Sequence, residues 1–276
     1  MCRLIIAVVF CFISSGVFAA GDVIISGGRP AGMGYTAVAG TGLWAVCNNP
    51  AGMAFTNSFH AGIYAENRFL LPDLTTGTIA ITFGSKPGTF GGYVNHFGGA
   101  LYSELKASAG YARKFGNKFS AGVLIDYLGI TQAEGYGNKS LVSFEVGLMC
   151  RPDDKWTVGV HLLNPVPISI SDDKNEKLPV VFRAGFSRVF ARKAELAAEI
   201  ESASNEKAVV RIGLEYIVHR SFFLRTGFVS NPQTVTAGIG LAFGNLHIDL
   251  GSTWQPVLGY SAQVSVEYHL KVKSEK

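Results

Sequence analysis

Charge is scarce in this chain. Lys, Arg, Asp and Glu together make up 16% of its 276 residues, and the formal net charge is +4. That balance selects neither nucleic acid nor an acidic substrate as a partner. Cysteine is scarcer, with four residues, two of which (Cys2 and Cys11) stand near the N-terminus. Cys47 and Cys150, about a hundred residues apart, make no disulfide framework, and each is expected to be a small apolar filler. Past the N-terminus no apolar run reaches the ~18 residues of a spanning helix. Catalytic motifs are missing too: there is no G-x-S-x-G, H-E-x-x-H or Cys-x-x-Cys. The six histidines (His60, His96, His161, His219, His247 and His269) read as scattered singly. These absences speak against an enzyme and give no reason to expect a metal or a cofactor. Gly40-Thr41-Gly42-Leu43-Trp44-Ala45 does match the dinucleotide fingerprint G-x-G-x-x-A, but no βαβ unit surrounds it, so that reading is rejected.

What the chain does have begins with a secretory signature. Met1-Cys2-Arg3 leads into an apolar run from Leu4 to Phe12, and Val17-Phe18-Ala19 suits cleavage after Ala19. Residues 1–19 are therefore expected to be a signal peptide. Cys11 follows Phe10 rather than a small residue, which argues against lipidation. Removing Arg3 from the 24 basic residues leaves 23 against 20 acidic ones. Mean hydropathy is nonetheless positive, at +0.25. An apolar average without a spanning helix is what a membrane β-barrel produces.

From Asn57 onward the chain alternates with period two. In Arg211-Ile212-Gly213-Leu214-Glu215-Tyr216, for example, Ile212, Leu214 and Tyr216 share one face and Arg211, Gly213 and Glu215 the other. Strands are predicted at about 57–68, 75–84, 88–97, 101–115, 118–132, 140–151, 155–163, 178–190, 193–202, 207–218, 221–230, 234–243, 245–255 and 259–271. Most have the ~9–11 residues that a tilted strand needs to cross a bilayer, and fourteen is an even number, as in bacterial barrels. Short turns such as Ser85-Lys86-Pro87, Gly116-Asn117, His219-Arg220 and Gly244-Asn245 follow even-numbered strands, and the longer links 133–139 and 164–177 follow odd-numbered ones. That parity matches short periplasmic turns and longer external loops. Trp156, Phe222, Phe243, Trp254, Tyr260 and Tyr268 near strand ends suit interfacial girdles. The fold class read from the sequence is all-β: a transmembrane antiparallel barrel spanning residues 57–276.

The second face of these strands mixes glycine with full charges. Glu66, Arg68, Glu104, Lys106, Asp126, Glu145, Arg183, Glu199, Glu201, Arg211, Glu215, Arg225 and Asp249 all fall on it. An Arg or Lys facing lipid at mid-depth costs ~2–4 kcal/mol, so these charges are expected to line the lumen. They read as a network that holds the lumen shut or as a polar lining that guides a solute. Residues 20–56 break the pattern. They are rich in glycine and small side chains, show no sustained alternation, and hold a candidate helical turn over Leu43 to Cys47. They are expected to pack inside the barrel as a hatch, with Asn48 or Asn49 hydrogen-bonded to the wall and Pro50 ending the turn.

Gly28-Arg29-Pro30-Ala31-Gly32-Met33-Gly34, together with Trp44-Ala45-Val46-Cys47-Asn48-Asn49-Pro50-Ala51-Gly52-Met53-Ala54, resembles the N-terminus of FadL-like and PorV/PorQ-like outer-membrane proteins. Tyr111 to Gly122 and Pro256-Val257-Leu258-Gly259-Tyr260 also look like the PorV/PorQ-type proteins of the Bacteroidetes. The resemblance implies a fourteen-stranded barrel in the outer membrane with an N-terminal hatch. It also implies that Asn49, Pro50 and Ala51, within the motif Asn48 to Gly52, yield to let a hydrophobic solute through the wall. The chain departs from FadL-type transporters in being short, in lacking long external loops and in ending without a terminal aromatic.

Two functions follow from the resemblance. One is passage of a small hydrophobic solute past the hatch, with membrane lipid as the surrounding partner. The other is a PorV/PorQ-like accessory barrel of a type IX-like secretion system, handling envelope proteins. For that second role the rim segment Ile168 to Lys177, with Asp172-Asp173-Lys174-Asn175-Glu176-Lys177, would be the recognition surface.

Overall fold

The computed structural model describes residues 24–133, 137–170, 177–204 and 206–270. The expected signal peptide and the acidic–basic run 172–176 lie outside them. Fourteen antiparallel strands form one closed barrel in sequential order. They are β1 (Phe59–Asn67), β2 (Thr75–Gly84), β3 (Thr89–Gly98), β4 (Tyr102–Phe115), β5 (Phe119–Gln132), β6 (Gly137–Cys150) and β7 (Trp156–Leu163), followed by β8 (Val181–Phe190), β9 (Ala194–Ala203), β10 (Val209–His219), β11 (Phe222–Ser230), β12 (Gln233–Phe243), β13 (Leu246–Gln255) and β14 (Gly259–Leu270). Pairing of Phe59 with Leu270 through Asn67 with Ala262 closes the ring. This pairing covers the outer edges of β1 and β14, which an open sheet would leave exposed.

Period-two alternation sets the two faces. Outward-facing Ile79, Ile125 and Val142 are each more than 60% exposed. Along β10, Ile212, Leu214 and Tyr216 point out, while Arg211, Gly213 and Glu215 are buried inside. Links after even-numbered strands are all short, and the two longest, 68–74 and 164–180, sit at the opposite end. One stretch of wall is irregular: β6 pairs with β7 from Glu145 to Cys150, and just beyond it Asn164 N–H bonds Phe144 O.

Several boundaries shift by up to three residues from the sequence reading, and two of the shifts have a local cause. β8 begins at Val181 rather than 178, because Leu178 and Asn164 belong to the long link, whose strand-like run is interrupted by Pro179. Arg68 lies past the end of β1, in a 3₁₀ turn over Arg68–Leu70. Cys47 is a buried free thiol, as the filler reading expects.

Residues 24–56 are almost entirely buried against the inner face of the wall. They contain two short helices, α1 (Gly28–Gly32) and α2 (Ala45–Asn48), then a 3₁₀ helix over Pro50–Phe55. α1 packs on β11 to β14, α2 on β2 and β3, and the 3₁₀ helix on β3 to β6. The inward glycines of the wall make this contact close. A Cβ on Gly227 would sit 2.2 Å from Gly34 N, and one on Gly213 would sit 2.3 Å from Met33 O. Gly227→Ala is therefore expected to destabilise the fold by about 1–3 kcal/mol. Gly77→Ala, whose Cβ meets nothing within 4 Å, should stay within about 0.5 kcal/mol of the parent. Denaturant unfolding of both variants checks this, and equal losses would refute it.

Candidate functional site

The chemistry of the N-terminal segment starts with its own brackets. Asn48 Oδ1 accepts from Ser26 N–H at 3.2 Å, while its Nδ2 donates to Ser26 O and Trp44 O, both at 2.8 Å. Asn49 Nδ2 donates to Val38 O at 2.6 Å, and its Oδ1 caps the 3₁₀ helix by accepting from Ala51 N–H. Pro50 occupies the first position of that helix, where its missing N–H costs nothing. Both asparagine side chains therefore tie the segment to itself, and the expected bond from Asn48 to the wall is made by its backbone. It is the Asn48 carbonyl that reaches the wall, together with Ala51 O, which accepts from Ser120 Oγ at 2.9 Å.

Three groups of charged wall residues grip the segment. In the first, Arg29 Nε and Nη2 donate to the two oxygens of Glu215, each at 3.1 Å, and Nη2 lies 3.0 Å from Glu195. Glu215 also accepts from Arg225 at 2.6 Å, and Arg225 donates to Asp249 at 2.6 Å. The charges thus alternate in sign along the chain Arg29–Glu215–Arg225–Asp249. Burial alone would lower the proton affinity of the Arg29 guanidinium, but Glu215 and Glu195 outweigh it and hold it above the ordinary arginine range.

In the second group, Glu199 Oε2 accepts from both Ala37 N–H and Val38 N–H at 2.8 Å. Its Oε1 lies between Arg183 at 3.9 Å and Arg211 at 3.7 Å, and Arg211 bonds Glu201 at 2.9 Å.

The third group is centred on Glu145. Lys106 donates to Oε1 at 2.6 Å, and His161 Nε2 contacts Oε2 at 2.7 Å. Arg183 Nη2 donates to Asn48 O at 2.6 Å and meets His161 Nδ1 at 2.7 Å. Arginine can only donate, so Nδ1 must be the acceptor and Nε2 must carry the proton directed at Glu145. Lys106 also pairs with Asp126 at 3.4 Å. Elsewhere Tyr35 O–H donates to Glu66 at 2.8 Å, and Arg68 lies 3.8 Å from Glu66. Burial first, and then the Glu66 carboxylate, push the Tyr35 phenol above its ordinary range, so it stays a donor.

The segment separates two cavities. One, of about 430 Å³, lies at the end carrying the long links and is lined by Ile25, Tyr35, Arg68, Phe69, Val181 and Leu258 among others. The second, of about 260 Å³, lies at the short-turn end against Arg29, Gly40 and Trp44, with Phe223, Leu241 and His247 opposite. Near the first end an apolar cluster of Ile130, Ile170 and Leu178, with Tyr102, Leu128, Leu141 and Ile168 packed on it, joins the long link to β4, β5 and β6.

Three of the six histidines come together. His60, His269 and His247 stack in a row, with ring centroids 4.0 and 4.7 Å apart, because β1, β14 and β13 are neighbours in the closed sheet. Sequence reading missed this, since β1 and β14 lie at opposite ends of the chain. The available signal was the Glu267-x-His269 spacing, which puts both residues on one strand face.

No family model and no curated protein matches the sequence. Solved structures do. The chain is similar to the Ralstonia pickettii toluene transporter TbuX (13% identity, TM-score 0.67, covering 89% of this chain and 98% of that one). It is also similar to the P. putida toluene transporter TodX (14%, 0.68, 91% and 100%) and to a Pseudomonas aeruginosa FadL homologue (13%, 0.66, 90% and 99%). The fold is shared with these proteins. At such low identity the likeness is one of architecture.

Glu199→Ala should release the Ala37 and Val38 amides. Each hydrogen bond to a charged acceptor is worth about 1.5–3 kcal/mol, so their hydrogen exchange is expected to rise at least about tenfold. Glu199→Gln, which keeps an acceptor oxygen, should raise it less; unchanged exchange in the alanine variant would show that the carboxylate does not hold the segment. Burial pushes the Cys47 thiol well above its ordinary range. It is expected to resist maleimide at neutral pH in the folded protein and to react after unfolding, as followed by mass spectrometry.

Proposed function

We propose that this chain is an integral outer-membrane barrel that passes a small hydrophobic solute, with residues 20–56 serving as its hatch. The observation that carries the reading is the pair of cavities, of about 430 and 260 Å³, on opposite sides of the N-terminal segment. A barrel built only as a scaffold needs no such compartments. The outward face supports the membrane setting: strands of 8 to 14 residues present exposed Ile, Val, Leu and Phe, while Arg183, Arg211 and Arg225 point inward. Facing lipid, each of those arginines would cost ~2–4 kcal/mol. The similar solved structures, two of them toluene transporters, support a hydrophobic solute.

In this reading residues 1–19 direct export, the short turns face the periplasm and the long links face outward. The solute enters the larger cavity, where Phe69, Val181 and Leu258 offer apolar contact and Arg68 and Arg211 can meet a polar end. The apolar cluster around Leu141 and Leu178 gives a second greasy surface at the same rim. Onward passage requires the hatch to yield. The motif Asn48 to Gly52 keeps the hatch folded as a unit while its wall contacts exchange. Glu66, Asp126, Glu145, Arg183, Glu199, Glu201, Arg211, Glu215, Arg225 and Asp249 hold it closed at rest.

The protein should fractionate with the outer membrane and migrate as a heat-modifiable band. Deleting its gene should slow uptake of a labelled monoaromatic hydrocarbon or fatty acid several-fold while export of surface proteins continues. Normal uptake with loss of surface-exported proteins would overturn transport in favour of a secretion accessory. Removing residues 24–56 should raise single-channel conductance in planar bilayers, and unchanged conductance would refute the hatch.

A further inference from the structure

Most carboxylates on the inner face meet an arginine or a lysine: Glu145 meets Lys106, Glu199 and Glu201 meet Arg211, and Glu215 and Asp249 meet Arg225. Glu267 is different. Its Oε1 takes its contacts from two imidazoles, His269 Nε2 at 2.6 Å and His60 Nδ1 at 3.2 Å. The Glu267 side chain is only 12% exposed, so it is largely withdrawn from water, and among the described residues no lysine or arginine pairs with it. Strand register builds the group, since His60 lies opposite His269 and His247 lies opposite Glu267.

We propose that His60, Glu267 and His269 bind one zinc-class divalent metal ion at the short-turn end of the barrel. The three donor atoms already lie within 4.8 Å of one another. Zinc bonds of about 2.0–2.2 Å to nitrogen and oxygen place tetrahedral ligands roughly 3.3 Å apart, so the group closes with small side-chain rotations. Two imidazoles and a carboxylate suit zinc, copper and nickel better than magnesium or calcium.

The protons can be accommodated. To ligate, His60 must present a bare Nδ1 and carry its proton on Nε2, where Ser58 Oγ at 3.0 Å can accept it. His269 must free Nε2 and protonate Nδ1. The two rings now stack 22° from parallel, so binding turns them until each lone pair lies in its ring plane toward the metal. His247, stacked on His269 at 4.7 Å, is a positioning residue that supports the ring from the other side. The fourth coordination position opens toward the 260 Å³ cavity, which all three ligands line.

The test uses the full mature chain in detergent, freed of any affinity tag and stripped with chelator. Zinc titrated against a chromophoric competitor should bind at one equivalent. Copper bound in its place should show two nitrogen ligands by electron paramagnetic resonance. His269→Gln and Glu267→Gln should each weaken zinc at least about tenfold, and His269→Gln should reduce the copper signature to one nitrogen. His247→Gln should keep both nitrogens. Heat-modifiable migration establishes that each variant is folded. Less than one equivalent of zinc on the folded parent would overturn the proposal, and that arm depends on no variant. So would a copper signature that His269→Gln leaves unchanged.

Discussion

The ladder between β1 and β14, which joins Phe59 to Leu270 and Asn67 to Ala262, turns a meander into a closed ring. Inside a bilayer or out of it, this satisfies backbone groups that an open sheet would leave unpaired. It also creates an interior. Only once the ring is closed do the inward charges face one another across a shared space, and only then does the N-terminal segment have walls on every side. The histidine row and the anchoring of α1 across β11 to β14 both depend on that closure.

Buried charges are costly unless paired, and the interior handles this by alternating signs. Arg29–Glu215–Arg225–Asp249 runs through contacts of 3.1, 2.6 and 2.6 Å. Removing one member of such a chain would strand its neighbours, which is worse than never having had them. Glu199 is built asymmetrically. One oxygen makes two short bonds to backbone amides of the segment, while the other stands 3.7 and 3.9 Å from two arginines. The firm contact is thus with the N-terminal segment, and the looser attraction is within the wall. Such a division suits an anchor that holds a separate piece of chain.

The faces of the sheet were legible residue by residue. β2 spans 75–84, as alternation placed it, and most other strands agree within two or three residues because the pleat imposes period two wherever one face is apolar. The reading failed at Leu178 to Val180, where Pro179 interrupts the strand-like run, and where the chain turned at Arg68. In the candidate site the residue types were legible, but their partners were not. Nothing in the order of the chain says that Arg183 reaches Asn48 O or that Asn49 turns back to Val38.

By itself, the sequence determined an all-β chain of fourteen strands with apolar and charged faces, because a two-residue period is a local property of each strand. It also marked residues 20–56 as different, since small residues without alternation cannot form a wall strand. Tertiary structure alone decided which charges pair, how the segment is gripped, and that His60 shares one corner with His247 and His269. Those outcomes depend on register and ring closure, which bring β1 beside β14 across some two hundred residues of intervening chain.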